Sequence, residues 1–245
     1  MIVASFSGGR SSAMMITQMD LSDVTVIFCN TGKEMPETLD FVRDCEAQWG
    51  VPITWLEYRS KRQYEVVNYE TASRNGEPFE QLIADKNYLP NMVARFCTSE
   101  LKVLTIERYL KDQGITDWET AVGIRADEPR RVAKMRQKEG YLTPLADKGI
   151  TSNDVIEFWK SQKFDLNLPV SGFYSNCDLC FLKGYGIKQS LVNENPSLAN
   201  WWAGQEEKIN ARFRSDQPAY KDMIAVSGTQ TDLWGYESIE CFCGD

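Results

Sequence analysis

Ile2-Val3-Ala4-Ser5-Phe6-Ser7-Gly8-Gly9-Arg10-Ser11-Ser12 is the stretch on which the fold turns. A short, mostly apolar run ends in two glycines and a set of hydroxyls, and a helical pattern from Ala13 to Met19 follows at once. A strand that opens through glycines into a helix N-terminus aims several backbone N–H groups at one anion. The glycines let a ligand approach the backbone closely, and the serine hydroxyls add donors. Strand, turn and helix cap use the same residues when no ligand is bound, so this string predicts geometry first and chemistry second.

Working outward, Val24-Thr25-Val26-Ile27-Phe28-Cys29 reads as a buried strand that runs into Asn30-Thr31-Gly32-Lys33-Glu34. Pro36 then stands near the start of a helical pattern through Leu39, Val42 and Ala47. Further strands are predicted at Pro52 to Leu56 and at Thr120 to Ile124. Strands alternating with helices at this spacing predict an α/β fold. Its form is a Rossmann-like, mostly parallel sheet with flanking helices, and its ligands gather beyond the strand C-terminal ends. Three loops should therefore converge: Ser7 to Ser12, Asn30 to Glu34, and Gly123 to Arg131. Tyr64 to Asn91 is polar and aromatic with weak periodicity, and reads as an excursion or lid. Leu101 to Leu110 predicts a helix after Cys97, and Ser152 or Asn153 is the expected cap of a helix carrying Val155, Ile156 and Trp159. Residues 1–150 form the expected core. Residues 151–245 form a helical, cysteine-containing C-terminal lobe packed with it as one unit.

With 245 residues, 42% of them hydrophobic, the chain can bury a full core. Its 27 Lys and Arg against 35 Asp and Glu leave a net charge of −8, which argues against broad nucleic-acid affinity through bulk charge while leaving room for a local basic groove. No apolar run approaches membrane-spanning length and no leader precedes the first strand, so the expected location is cytoplasmic, without a membrane partner. The absence of histidine removes imidazole from acid–base work and from metal ligation. Seven cysteines, an odd number, fit ligands or reactive thiols better than a disulfide framework. Cys177-Asp178-Leu179-Cys180 sets two thiolates at a spacing that suits one tetrahedral centre, either zinc or an iron–sulfur cluster. Cys29 and Cys45 fit plain packing roles. Arg125, Arg130, Arg131, Lys134 and Arg136 form a basic cluster that matches a phosphate or lies on a solvated helix face.

Taken together, Ser7-Gly8-Gly9-Arg10-Ser11-Ser12, Asn30-Thr31-Gly32-Lys33-Glu34-Met35-Pro36-Glu37-Thr38, Arg95-Phe96-Cys97-Thr98-Ser99-Glu100-Leu101-Lys102 and Gly123-Ile124-Arg125-Ala126-Asp127-Glu128-Pro129-Arg130 resemble one family. It is the phosphoadenosine phosphosulfate (PAPS) reductase branch of the adenine-nucleotide alpha-hydrolase-like superfamily. The resemblance implies that ATP or a related adenine nucleotide binds Ser7 to Ser12, Asn30 to Glu34, Lys102, Gly123, Arg125 and Arg130. Magnesium is a further implied participant. The family commonly has aspartate where this chain has Ser11, and Asp127, Glu128 or Glu34 is the available substitute. Cys97, Cys177 and Cys180 match three ligands of a [4Fe–4S] cluster, with zinc as the alternative. Phe96 stands where such members have another cysteine, so the fourth ligand falls to Cys243 or Cys241. Glu240-Cys241-Phe242-Cys243-Gly244-Asp245 partly resembles the catalytic terminus of sulfonucleotide reductases, in which a cysteine attacks sulfur.

Two activities follow. One is adenine-nucleotide-dependent sulfur transfer or nucleotidyl hydrolysis, with Arg125, Asp127 and Glu128 in catalytic roles. The other is thiol-dependent reduction of APS or PAPS through Cys241 or Cys243 with a thiol reductant. A regulatory nucleotide-binding protein without turnover is a third reading. The acceptor is a small molecule or a nucleic acid, and Trp201 and Trp202 suit a core or a homodimer interface.

Overall fold

The computed structural model describes residues 1–168 and 177–228. Among the described residues the strands are β1 (Ile2–Phe6), β2 (Val24–Asn30), β3 (Ile53–Arg59), β4 (Gln63–Val67), β5 (Glu119–Val122) and β6 (Tyr141–Leu142). The helices of the core are α1 (Arg10–Thr17), α2 (Pro36–Trp49), α3 (Glu77–Lys86), α4 (Phe96–Thr98), α5 (Leu104–Asp112), α6 (Pro129–Arg136), α7 (Pro144–Asp147) and α8 (Ser152–Lys160). Then come α9 (Tyr185–Glu194), α10 (Leu198–Ile209) and α11 (Tyr220–Ala225). The six strands form one sheet in the order β4-β3-β2-β1-β5-β6, parallel except for β4. The expected mostly parallel α/β fold is thus observed.

The central strands are apolar on both faces because both faces are covered. Ala4, Phe6, Phe28, Trp55 and Ala121 pack beneath α1, α2 and α8 in a cluster that includes Val155 and Trp159. Val3, Ile27 and Leu56 turn the other way, onto Ile106 and Leu110 of α5. A third cluster joins Met35, Tyr58 and Phe79 to Leu179, Leu191, Trp202, Phe213 and Tyr220, and fastens the C-terminal helices to the flank of the core. Trp202 is fully buried there and stacks on Tyr220 with ring centroids 5.4 Å apart.

Pro36 opens α2 at a position where its missing N–H is harmless, and Gly50 in the left-handed region ends it. Two local expectations are corrected. Gln63–Val67, within the presumed excursion, is an antiparallel edge strand, and the turn before it places Lys61 and Arg62 at φ 59° and 60° instead of using Asn-Gly. Its outward residues are solvated, so it lacks the apolar signature of the central strands. The cap of α8 is Thr151, not Ser152 or Asn153. The Asp154 carboxylate accepts hydrogen bonds from the Thr151 N–H at 2.7 Å and hydroxyl at 2.6 Å.

Because β2 and β5 flank β1, the strand order reverses at β1, and the loops that follow β1 and β5 open a crevice there.

Candidate nucleotide site

The Ser7 to Ser12 loop is held by its own hydroxyls. The Ser12 hydroxyl donates to the Gly9 carbonyl at 3.0 Å, lies 2.8 Å from Ser7 Oγ, and accepts the Ser7 N–H at 3.2 Å. Gly8 sits at φ +81°, a conformation that excludes most side chains, and a Cβ there would meet Thr38 at 2.6 Å. Gly9 precedes α1 without a side-chain cap, so the first-turn N–H groups of α1 remain donors toward the crevice.

Gly123, at the end of β5, lets that strand press against the same helix start. A Cβ on Gly123 would lie 2.5 Å from Ser12 Cα and 2.7 Å from Ser12 N. Two residues on, Arg125 donates to Ser11 Oγ at 2.9 Å and pairs with Asp127 at 3.1 Å. Its backbone N–H donates to Glu128 at 2.9 Å, and Glu128 also holds Arg131. Where the family aspartate would stand, then, a serine is linked through one guanidinium to two adjacent carboxylates, Asp127 and Glu128. Asp127 and Glu128 are both committed to arginines.

Between these loops and the α5 face lies a cavity of about 500 Å³. Ser7, Ser12 and Gly123 line one end, Lys102 and Arg131 add charge, and Trp118 and Tyr141 line the far side. Ser99–Val103 winds as a wide π-helical turn ahead of α5, the kind of local insertion that recurs at functional sites, and Lys102 and Val103 from this turn, with Thr98 at the end of α4, line the cavity. Arg131 is 6% exposed, and its Nε is a buried donor with no partner among the described residues. A permanent cation with an unmatched donor in a cavity wall is suited to an anion.

The second expected loop behaves differently. Asn30 donates to Glu57 at 2.6 Å and to the Ser73 carbonyl at 2.8 Å, while its own oxygen accepts the Gly32 N–H. The Thr31 N–H and hydroxyl both donate to Glu34, and Lys33 N–H donates to Thr31 Oγ1. Lys33 Nζ is buried against Asp178 at 2.7 Å, and Glu34 bridges to Cys177. The donors of Asn30 to Glu34 are thus turned inward, and the segment is a joint that ties the core to Cys177-Asp178.

Arg10 likewise points away from the loop. Two bonds of 2.7 Å join it to Asp165, and a third of 3.1 Å reaches the Leu166 carbonyl. Arg130 is exposed at the start of α6. Lys183, after the paired cysteines, donates to the carbonyls of Cys177 and Asp178 and so braces that turn.

Cys97, Cys177 and Cys180 all lie in or against one apolar cluster. Among the described residues, however, no three His, Cys, Asp or Glu side chains assemble as a metal-binding group. Cys241 and Cys243 lie outside the described residues. The cluster reading takes its fourth ligand from Cys243 or Cys241 and so lies partly outside the described residues. Cys29 and Cys45 are buried, and burial pushes the Cys29 thiol up to about 12, so it stays protonated and inert.

Glu34 carries an electrostatic strain that its place in the second loop does not announce. Its Oε1 is buried without a partner, and burial raises its carboxyl above the ordinary 4.5 despite the nearby Lys102 charge. For an acid whose folded value is raised, both states are protonated at low pH. Stability then falls as pH rises from 4.5 toward the folded value, because the unfolded chain ionises first. Urea denaturation across that range should show Glu34→Gln losing less stability with rising pH than the parent; parallel curves would contradict this.

Residues 1–141, more than half of the chain, match the family model of the phosphoadenosine phosphosulfate reductase domain. The uncharacterized nin region protein ORF290 of Escherichia phage lambda is 34% identical over 199 residues, covering 74% of this chain and 66% of its own length. An uncharacterized protein of Methanocaldococcus jannaschii is 27% identical over 217 residues, covering 82% of this chain and 40% of its own length. The chain thus spans less than two thirds of either relative. A phosphoadenylyl-sulfate reductase from Candida auris, solved as a phosphate complex, superposes with a TM-score of 0.42 at 17% identity over 65% of this chain and 71% of that one. Among the described residues no helix is long and apolar enough to cross a membrane.

Proposed function

Since this chain belongs to the phosphoadenosine phosphosulfate reductase domain family, we propose that it is an adenine-nucleotide-dependent enzyme of sulfur transfer or nucleotidyl hydrolysis, with the nucleotide seated in the β1–β5 cavity. The supporting observation is the meeting, at one cavity, of Ser12 from the uncapped first turn of α1 and the unmatched Nε of buried Arg131. Cavities of this size hold one small organic ligand, and about 300–1,000 Å³ is usual for such sites.

In this reading the N–H groups of α1 and the serine hydroxyls hold the phosphates, while Lys102 and Arg131 face the charge that develops on the leaving pyrophosphate. Donors fixed in advance stabilise such charge without reorganising during the reaction. An acceptor oxygen attacks the α-phosphorus and forms a new P–O bond. The bond from that phosphorus to the bridging oxygen breaks, and its electron pair leaves with pyrophosphate. The acceptor's proton passes to water. A sulfur nucleophile then displaces AMP from the activated acceptor. Arg125 positions the loop through Ser11, with Asp127 and Glu128 fixing the guanidinium.

Product analysis separates the alternatives. Incubation with ATP and candidate acceptors should release pyrophosphate and AMP. Release of sulfite from PAPS with a thiol, and no pyrophosphate from ATP, would overturn this reading in favour of sulfonucleotide reduction.

A further inference from the structure

The helix that walls the cavity has two sides with different chemistry. Arg131 and Val132 of α6 are buried, whereas Arg130, Lys134 and Lys138 are exposed at four-residue spacing along α6 and just beyond its end. Four residues rise about 6 Å along a helix, so these cations step along the rim as a stripe rather than gathering at one point. Lys134 and Lys138 also border the cavity. Arg136 lies off this stripe in an ion pair with Asp147 at 2.8 Å. Behind the stripe stand Trp118 and Tyr141, and Lys138 Nζ lies 5.1 Å from the Tyr141 ring centroid. Glu107, which pairs with Lys111, and Glu139 are the carboxylates lining the cavity, and Asp127 and Glu128, held by Arg125 and Arg131, stand just before α6.

We propose that the α6 rim docks a single-stranded nucleic acid, with its phosphates along Arg130, Lys134 and Lys138 and a base against Tyr141 and Trp118 at the cavity mouth. In a chain of net charge −8 the attraction must be local, and a short basic stripe backed by aromatic rings is the arrangement that binds single strands without reading sequence. A duplex would offer the same phosphates but keep its base faces stacked away from the rings. Placed here, the strand would present its reactive group to the nucleotide pocket as acceptor. The inference rests on the nucleotide reading only in sharing that cavity.

Fluorescence anisotropy of labelled dT12 and rU12 with the full chain, alongside a titration of ATP, tests it. At least one 12-mer should bind at low salt, more tightly than a 12-base-pair duplex. The plot of log K against log salt should have a slope of about −2, near 0.7 for each of three neutralised phosphates. Charge reversal at Arg130, Lys134 and Lys138 should weaken binding at least tenfold and flatten the salt dependence. Tyr141→Ala should weaken it about tenfold, in the range set by loss of one base stack. Unchanged thermal midpoints will show that these variants fold, and Lys134→Gln with Lys138→Gln gives a milder second test. Absence of 12-mer binding by the parent chain, with its ATP binding intact, would overturn the inference and leave the nucleotide reading standing. Displacement of the 12-mer by ATP, or equal binding by the charge-reversed variant, would also overturn it.

Discussion

Asp178→Ala should lower the unfolding free energy by about 3–5 kcal/mol, the usual consequence of leaving one buried partner of an ion pair uncompensated. Lys33 and Asp178 are 8% and 5% exposed and meet at 2.7 Å. The same carboxylate accepts the Trp202 indole N–H at 2.8 Å and the Leu179 N–H at 2.6 Å. Removing it strands a buried ammonium beside the Trp201 ring and frees the residue on which the third core cluster is anchored. The double variant Lys33→Met with Asp178→Leu removes both charges and should be more stable than Asp178→Ala. Urea denaturation followed by circular dichroism measures both. If the double variant is as unstable as the single one, the ion pair is not what Asp178 contributes.

Gly123→Ala is expected to be nearly as damaging, for a steric reason. The new Cβ would stand 2.5 Å from a backbone atom of Ser12, which cannot rotate away as a side chain tip can. Separating β5 from the start of α1 should cost about 2–3 kcal/mol, within the range for overpacking a tight site. It should also pull Arg125 off Ser11 and weaken nucleotide binding more than tenfold. Gly204, inside α10, has nothing within 4 Å of its virtual Cβ, so Gly204→Ala is the control and should be neutral or stabilising. Equal thermal midpoints for the two variants would refute the close-packing account.

What could be read beforehand followed the length scale of the signal. The strand, glycine loop and helix at Ile2 to Thr17, the strand at Val24, Pro36 at the start of α2 and the strand before Gly123 all carry local patterns, and all appear. Their parallel order placed the crevice correctly, because strand polarity alone sends the loops to one end. The edge strand β4 was hidden since solvation removes its apolar alternation, and three neighbouring residues competed for one helix cap at Thr151 to Asn153.

The fate of individual site residues was less legible because it depends on partners far away in the chain. Arg10 is phosphate-like by type and position, yet Asp165 takes it. Asn30 to Glu34 looks ready for a ligand, yet Glu57, Ser73 and Asp178 absorb its donors. Glu57 itself, fully buried and joined to Asn30, Ser73 and Arg59, had no motif to announce it. Arg131, by contrast, was one basic residue in a cluster, and only its burial and unmatched Nε single it out among the cavity's cations.

The central claim is that an adenine nucleotide occupies the β1–β5 cavity against α1 and Arg131. Calorimetric titration of ATP into the parent chain and into Arg131→Gln tests this directly. One saturable site per chain is expected, with affinity at least tenfold weaker in Arg131→Gln and circular dichroism showing that the variant is folded at the titration temperature. Absence of saturable binding to the parent, or equal affinity in the two proteins, would contradict it.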